Sequence, residues 1–331
     1  MSEQKKDNAI QPGGWQDALP RPEYRAFERL LPETEWYEVY RIRPDTYALY
    51  EPGQFQEVIC FLAVGEQRAL LWDTGMGFAP VRPVVERLTD LPITVVNSHT
   101  HFDHVGGNWE FPQGFGWFSE EGVRAMAGAD NARMSRALQG DSLAAPLPGG
   151  LTADRYVIHP FQLAFLDRTD PDSEQARAAG LVRSALAEQP GWEEALRPLF
   201  TGLAFDLGGR RMEVLRVHGH GPDSIMLLDL DRRMLFTGDL VYPAALYAHQ
   251  VVDGEPVFEA YADTMARLRL LQGRVDDLCC SHNIPLCDAG LLGRVADLFD
   301  DIKAGRAVGR HYEGGLIRYQ QPDFAIVTLG R

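Results

Sequence analysis

His99-Thr100-His101-Phe102-Asp103-His104 places four side chains able to bind a metal within six residues. The apolar run Ile93–Asn97, followed by Ser98, stands directly before it and reads as a buried strand. Alternate residues at a strand end project to the same side, so His99 and His101 can grip one ion. The chain then turns, which lets Asp103 and His104 face a second ion nearby. Imidazole nitrogen and carboxylate oxygen are donors that zinc favours. At this composition the pattern H-x-H-x-D-H arises by chance in on the order of one chain in two thousand. Stacking four such polar groups without a ligand would also cost desolvation and repulsion.

Outward from this stretch the chain divides into two β-rich parts. Before it, Trp36–Arg43, Tyr47–Glu51, Glu57–Val64 and Arg68–Asp73 read as strands, rich in β-branched or aromatic residues and bounded by Gly or Pro. Pro80 to Leu88 reads as a helix, and Glu23–Leu31 as a short one within a Pro-rich opening segment. Helical patterning marks Glu120–Ala127, Ser173–Glu188 and Trp192–Leu199. Strands return at Leu203–Leu207, Arg211–Val217, Ser224–Leu230 and Met234–Thr237. A helix at Tyr261–Leu271, a strand at Asp276–Cys280, a helix at Ala289–Lys303 and a strand at Phe324–Leu329 complete the pattern. The expected architecture is α/β, a four-layer αββα sandwich. Its expected parts are an N-terminal arm over 1–32 and a main domain over 33–331, with a helical lid inserted at 120–200.

Composition narrows the function. The chain has 331 residues, 45% hydrophobic and 24% charged, which suits a globular protein with a sizeable core. No run approaches the roughly 18–20 apolar residues of a membrane span. Met1 to Asp17 is polar, so neither a signal peptide nor a membrane partner is expected. Cys60, Cys279, Cys280 and Cys287 form no C-x-x-C pair and read as buried thiols in a reducing compartment, which favours the cytoplasm. A formal charge of −15 opposes nucleic-acid binding, which needs clustered Lys and Arg.

H-x-H-x-D-H after a strand resembles the signature of the metallo-β-lactamase superfamily, and further motifs of that family follow in order. Asp73, in Leu-Trp-Asp-Thr-Gly-Met-Gly, is similar to the Asp that orients the metal-binding loop. His220, in His-Gly-Pro-Asp-Ser, resembles the third histidine of the first metal site. Asp239, in Phe-Thr-Gly-Asp-Leu, resembles the bridging carboxylate, and His282, in Cys-Ser-His-Asn, the last histidine of the second site. The resemblance implies that His99, His101 and His220 bind one ion, that Asp103, His104 and His282 bind the other, and that Asp239 bridges them. Two zinc ions are the expected cofactors, and iron or manganese would also suit these donors. His218 lies two residues before His220 and competes with it as a ligand. His159, His249 and His311 lack metal-binding neighbours and read as structural or surface residues.

The family hosts many chemistries, so the reaction must be argued separately. His101 stands where flavodiiron oxidoreductases of this fold usually carry Glu. The Glu-Tyr that follows the last histidine in glyoxalase II is absent, since Asn283 and Ile284 stand there. Exported β-lactamases normally lack the bridging Asp. Tyr242, three residues after Asp239, matches the spacing of a tyrosine in acyl-homoserine lactonases that hydrogen-bonds the substrate carbonyl or oxyanion. Tyr247 is a weaker candidate, and packing is the alternative for Tyr242. The aromatics Phe111, Trp117, Phe118, Phe161 and Phe165 would line an apolar acyl pocket or pack between helices.

The expectation is therefore a dinuclear hydrolase cleaving a carboxylic ester or lactone by metal-bridged hydroxide, with Asp103, Asp239 and Tyr242 in catalytic roles. Its substrate would be a small molecule, and homo-oligomerisation is left open. Phosphodiester hydrolysis, a mononuclear iron persulfide dioxygenase and a non-catalytic regulatory protein are the alternatives.

Overall fold

The computed structural model describes residues 15–120, 123, 163–252 and 254–330. An eight-stranded sheet runs in chain order through Glu28–Leu30, Glu38–Arg43, Thr46–Tyr50, Ile59–Val64, Ala69–Trp72, Ile93–Val96, Gly114–Gly116 and Leu163–Phe165. Its first five strands are antiparallel, and the last three run parallel to Ala69–Trp72 and to one another. A seven-stranded sheet faces it, ordered Leu286–Asp288, Asp277–Cys280, Met234–Gly238, Ile225–Asp229, Arg211–Arg216, Phe200–Asp206 and Leu181–Arg183. A smaller four-stranded sheet joins Ala245–Tyr247 to the C-terminal strands Ala325–Leu329, Leu316–Gln320 and Arg310–His311.

Period-two alternation builds the layers, because successive side chains of a strand leave opposite faces. Phe61, Trp72, Phe115, Phe205 and Phe236 point between the two sheets. Phe61 meets Phe236 edge-on with ring centroids 5.7 Å apart, and Phe115 meets Phe205 at 5.9 Å. The alternate residues Cys60, Leu62, Leu71 and Val95 face outward, against Val84 and Val85 of the helix at Arg82–Val85 and Val81 just before it. On the far side Met226, Leu228 and Leu235 pack against helices Phe258–Leu268 and Gly290–Lys303. The four layers are those expected from the sequence. Cys279 and Cys280, adjacent on one strand, enter different cores for the same reason.

Some elements differ from their sequence-based reading. The helix expected over Ser173–Glu188 spans only Glu174–Ala179. Gly180 ends it at φ 78°, a left-handed cap, and Leu181–Arg183 then adds an edge strand. Trp192–Leu199 contracts to the 3-10 segment Glu194–Leu199, with Pro198 inside it removing a donor. Glu23–Leu31 is a 3-10 turn at Pro22–Ala26 followed by the strand Glu28–Leu30, whose pairing with Glu38–Arg43 outweighs local helix propensity. Glu120–Ala127 lies outside the described residues except at positions 120 and 123. Among the described residues no helix is long and apolar enough to cross a membrane.

Arg210 bolts the two large sheets together. Its side chain is fully buried. Nε donates to Asp229 Oδ2 at 2.6 Å, while Nη1 donates to the Asp45 carbonyl at 2.8 Å and Nη2 to Thr46 Oγ1 at 3.0 Å. Removing one partner of such a pair strands a buried charge. Arg210→Ala should therefore cost about 3–5 kcal/mol in urea unfolding. The double change Arg210→Met with Asp229→Leu should recover most of that loss.

Candidate metal centre

All seven predicted ligands converge on one rim of the sandwich, where strands of both sheets end. His99 and His101 follow the strand Ile93–Val96. Asp103 and His104 sit in the helical turn Phe102–Val105. His220 lies in the loop after Arg211–Arg216, Asp239 directly follows Met234–Gly238, and His282 follows Asp277–Cys280. Gly238 takes φ 52°, and a Cβ there would come within 2.8 Å of Ser98 Cβ, so a side chain would wedge the two loops apart.

The ligand atoms fall into two groups, His99, His101, His220 and Asp239, and Asp103, His104, Asp239 and His282. Asp239 belongs to both. Its Oδ2 lies 3.8 Å from His99 Nε2 and 3.4 Å from His220 Nε2, its Oδ1 lies 3.1 Å from His104 Nε2, and His282 Nε2 stands between them at 2.9 Å from Oδ1 and 3.0 Å from Oδ2. Asp103 Oδ2 stands 3.6 Å from His104 Nε2 and 3.7 Å from His282 Nε2. A tetrahedral ion with bonds of about 2.0–2.1 Å separates its ligand atoms by roughly 3.3 Å, the scale seen here.

Residues behind the histidines fix which nitrogen faces inward. Asp73 Oδ2 lies 2.9 Å from His104 Nδ1 and accepts its proton. Ser98 Oγ donates to the same carboxylate oxygen at 2.8 Å, which leaves Ser98 Oγ to accept from His99 Nδ1 at 2.8 Å. The Gln56 carbonyl accepts from His282 Nδ1 at 2.6 Å. In each case the Nε2 lone pair is turned toward the centre. His99 Nε2, His104 Nε2 and Asp239 Oδ1 are buried without a hydrogen-bond partner. Buried polar atoms are rarely left so, and an ion is the group this donor set fits.

The electrostatics agree with that fit. Burial pushes His99 well below the ordinary imidazole range, reinforced by His104 and His101. Burial likewise takes His220 down to about 3. For His104 burial works downward too, but Asp239, Asp103 and Asp73 outweigh it and hold the ring well above the usual value. Burial would raise Asp239, yet His104, His282 and His220 keep its carboxyl well below the ordinary carboxylate range. His104 and Asp239 thus hold each other in their charged forms.

The other candidates separate cleanly. His218 is exposed, lies beyond the end of the strand Arg211–Arg216 and belongs to neither group. His249 and His311 also lie outside both groups, and His159 and Phe161 fall outside the described residues. The Tyr242 ring lies 5.2 Å from the His282 ring, and its hydroxyl donates to the Ala245 carbonyl at 2.8 Å. Phe111 is buried in the outer core, and Phe118 packs on Phe165 with centroids 5.8 Å apart. Ser98 and Gln56 carried no sequence signal, since a serine beside a histidine motif and a backbone carbonyl are both commonplace.

A family model described as the metallo-beta-lactamase superfamily matches residues 55–118 and 147–282. The chain belongs to the metallo-β-lactamase superfamily. Among curated relatives it is similar to the acyl-coenzyme A thioesterase MBLAC2 of Bos taurus and to that of Homo sapiens, each 26% identical over 226 residues. Those alignments cover 60% of this chain and 62% of each relative, so the chain spans under two thirds of their length. Among solved structures of the superfamily fold it resembles the sec-alkylsulfatase Pisa1 from Pseudomonas sp. with a TM-score of 0.52 and 16% identity. That match covers 80% of this chain and 42% of the sulfatase, and it speaks for the fold alone.

Asp73 offers the test of this backing layer. In Asp73→Asn an amide faces His104 Nδ1 and favours the tautomer whose Nε2 carries a proton into the centre. Metal affinity should fall about 10–100-fold, measured by competition with a chelator. Unchanged affinity would remove Asp73 from this role.

Proposed function

We propose that this chain is a dinuclear metal-dependent hydrolase of acyl esters, with thioesters as the first substrate class. The observation that carries the reading is Asp239, the carboxylate shared by both donor groups, with histidines of each group within 2.9–3.8 Å of its oxygens. One ion would be held by His99, His101, His220 and Asp239, and the other by Asp103, His104, His282 and Asp239. Three side chains and a shared carboxylate would leave room for a water on an ion that expands to five-coordinate. Two zinc ions there, or iron or manganese, would supply a nucleophile at neutral pH and a Lewis acid for the carbonyl oxygen.

The chain's own residues do the remaining work. Asp103 and Asp239 offset the charge of the cations within a buried rim. Asp73, Ser98 and the Gln56 carbonyl hold the imidazole protons on the far side of the rings, so the inward nitrogens stay available. His101, the least buried of the first group, marks the side on which substrate enters. The similarity to relatives named acyl-coenzyme A thioesterase favours a thioester over other acyl groups. The 120–200 segment is our candidate for selecting the acyl chain.

Lactone hydrolysis is the second reading, carried by Tyr242 beside His282. Its hydroxyl hydrogen is engaged by Ala245, so it must rotate off that carbonyl to donate to a substrate oxyanion. Tyr242→Phe should lower kcat about 10–1000-fold if it does so. An unchanged rate assigns the ring to packing against His282.

The decisive experiment joins elemental analysis of the purified protein to an assay panel of acyl thioesters, aryl esters, lactones and bis-aryl phosphodiesters. The expected result is two metal equivalents with thioester or ester turnover. A single iron without hydrolysis would overturn the proposal in favour of the dioxygenase alternative. Asp239→Ala should abolish turnover and reduce metal content at both sites, and a retained stoichiometry of two would contradict bridging.

A further inference from the structure

His282 differs from its neighbours in how it is held. His99 and His104 lean on Ser98 and Asp73, which belong to the same sheet. His282 leans on the Gln56 carbonyl, in a turn that enters the strand Ile59–Val64. That turn and the His282 loop are stitched by Ile59 N donating to Ser281 O at 2.8 Å and Asn283 N donating to Glu57 O at 3.1 Å. The two residues beside the His282–Gln56 contact are both left-handed, Glu57 at φ 47° and Asn283 at φ 67°. Asn tolerates that region, whereas Glu has no local reason to enter it. Such a conformation persists where the surroundings over-determine it.

What surrounds Glu57 comes from the N-terminal segment. Arg21 Nε donates to Glu57 Oε1 at 2.6 Å, and Nη2 donates to Glu57 Oε2 at 2.5 Å. The same Nη2 reaches Asn283 Oδ1 at 3.0 Å, across 262 residues of sequence. Tyr50 also donates its hydroxyl to Glu57, and Tyr24, three residues after Arg21, stacks on Tyr50 with centroids 4.4 Å apart. One guanidinium therefore grips both left-handed residues, the one next to Gln56 and the one next to His282. The Glu57 side chain is 1% exposed, so this grip is shielded from water. Arg21 and Asn283 both lie outside the residues matched by the family model, which begin at 55 and end at 282.

We propose that Arg21 is a positioning residue, a strap through Glu57 and Asn283 that orients His282 and sets metal affinity in the second group independently of the first. This rests on the two-ion reading above. The planar fork of arginine is what engages Glu57 and Asn283 together, and lysine cannot reproduce it. Loss of the strap frees the Gln56 carbonyl, and with it the His282 ring, while Ser98 and Asp73 still hold His99 and His104.

The test titrates the metal-free full chain with zinc or cobalt ion alone, in competition with a chelator, and follows the two binding steps and the cobalt absorption bands. In Arg21→Ala the step that reports the second group should weaken about 10–100-fold with the first step unchanged. Arg21→Lys should restore only part of that loss. Asn283→Gly keeps the positive φ, removes Oδ1 and leaves Glu57 paired, so it decides the matter should Arg21→Ala fold poorly. It should weaken the same step by a smaller factor. Equal weakening of both steps, or no change in the second, would overturn the strap. A wild-type chain binding a single ion would instead overturn the two-ion reading, and the strap with it.

Discussion

Asp73, Asp103 and Asp239 crowd against buried imidazoles at the seam between the two sheets, and little water reaches them. Uncompensated charge in such a place is costly, so the seam has to be answered by cations, by protons or by hydrogen bonds. The fold supplies the last through Ser98 and the backbone around it, and the donor set is shaped for the first. The strands that end at this rim deliver these groups at a fixed depth. The arrangement therefore depends on the sheets staying in register, which the aromatic layer of Phe61, Phe236, Phe115 and Phe205 and the buried Arg210–Asp229 pair maintain.

The same geometry explains why the centre is divided. Asp239 sits where the two loops meet and belongs to both donor groups, and Gly238 lets the chain turn sharply beside Ser98 to put it there. His99, His101 and His104 come from one continuous stretch, and Ser98 and Asp73 back His99 and His104. His220 and His282 come from the second sheet, and each depends on its own loop. The second group therefore draws on a longer chain of contacts, running through Gln56 and Glu57 to the N-terminal segment. A site built from unequal supports has parts that can be tuned separately.

Much of this was legible from spacing. His99, His101, Asp103 and His104 announced themselves because metal chemistry needs several donors close together, and few other roles assemble them so. Asp73, His220, Asp239 and His282 were legible through their resemblance to family motifs. The strands between Glu38 and Trp72 and those between Leu203 and Gly238 were visible because period-two alternation is written directly into the residues. Local patterning failed where a single residue or a distant partner outweighed it. Gly180 stopped a helix that its neighbours favoured, and Pro198 held another to a 3-10 segment. Around Glu28–Leu30, pairing with Glu38–Arg43 overrode a helical pattern.

The sequence by itself determined the His99–His104 donor cluster through covalent spacing and several of the longer strands through side-chain alternation, while resemblance to family motifs supplied the remaining candidate donors and the family. Tertiary structure alone decided which oxygen of Asp239 faces which histidines, which imidazole nitrogen turns inward, and where the Tyr242 hydroxyl is spent. It also decided that Arg21 reaches Asn283, 262 residues away. Those are matters of orientation at distances of about 3 Å, the range in which hydrogen bonds discriminate. They are settled only when segments remote in sequence are packed together.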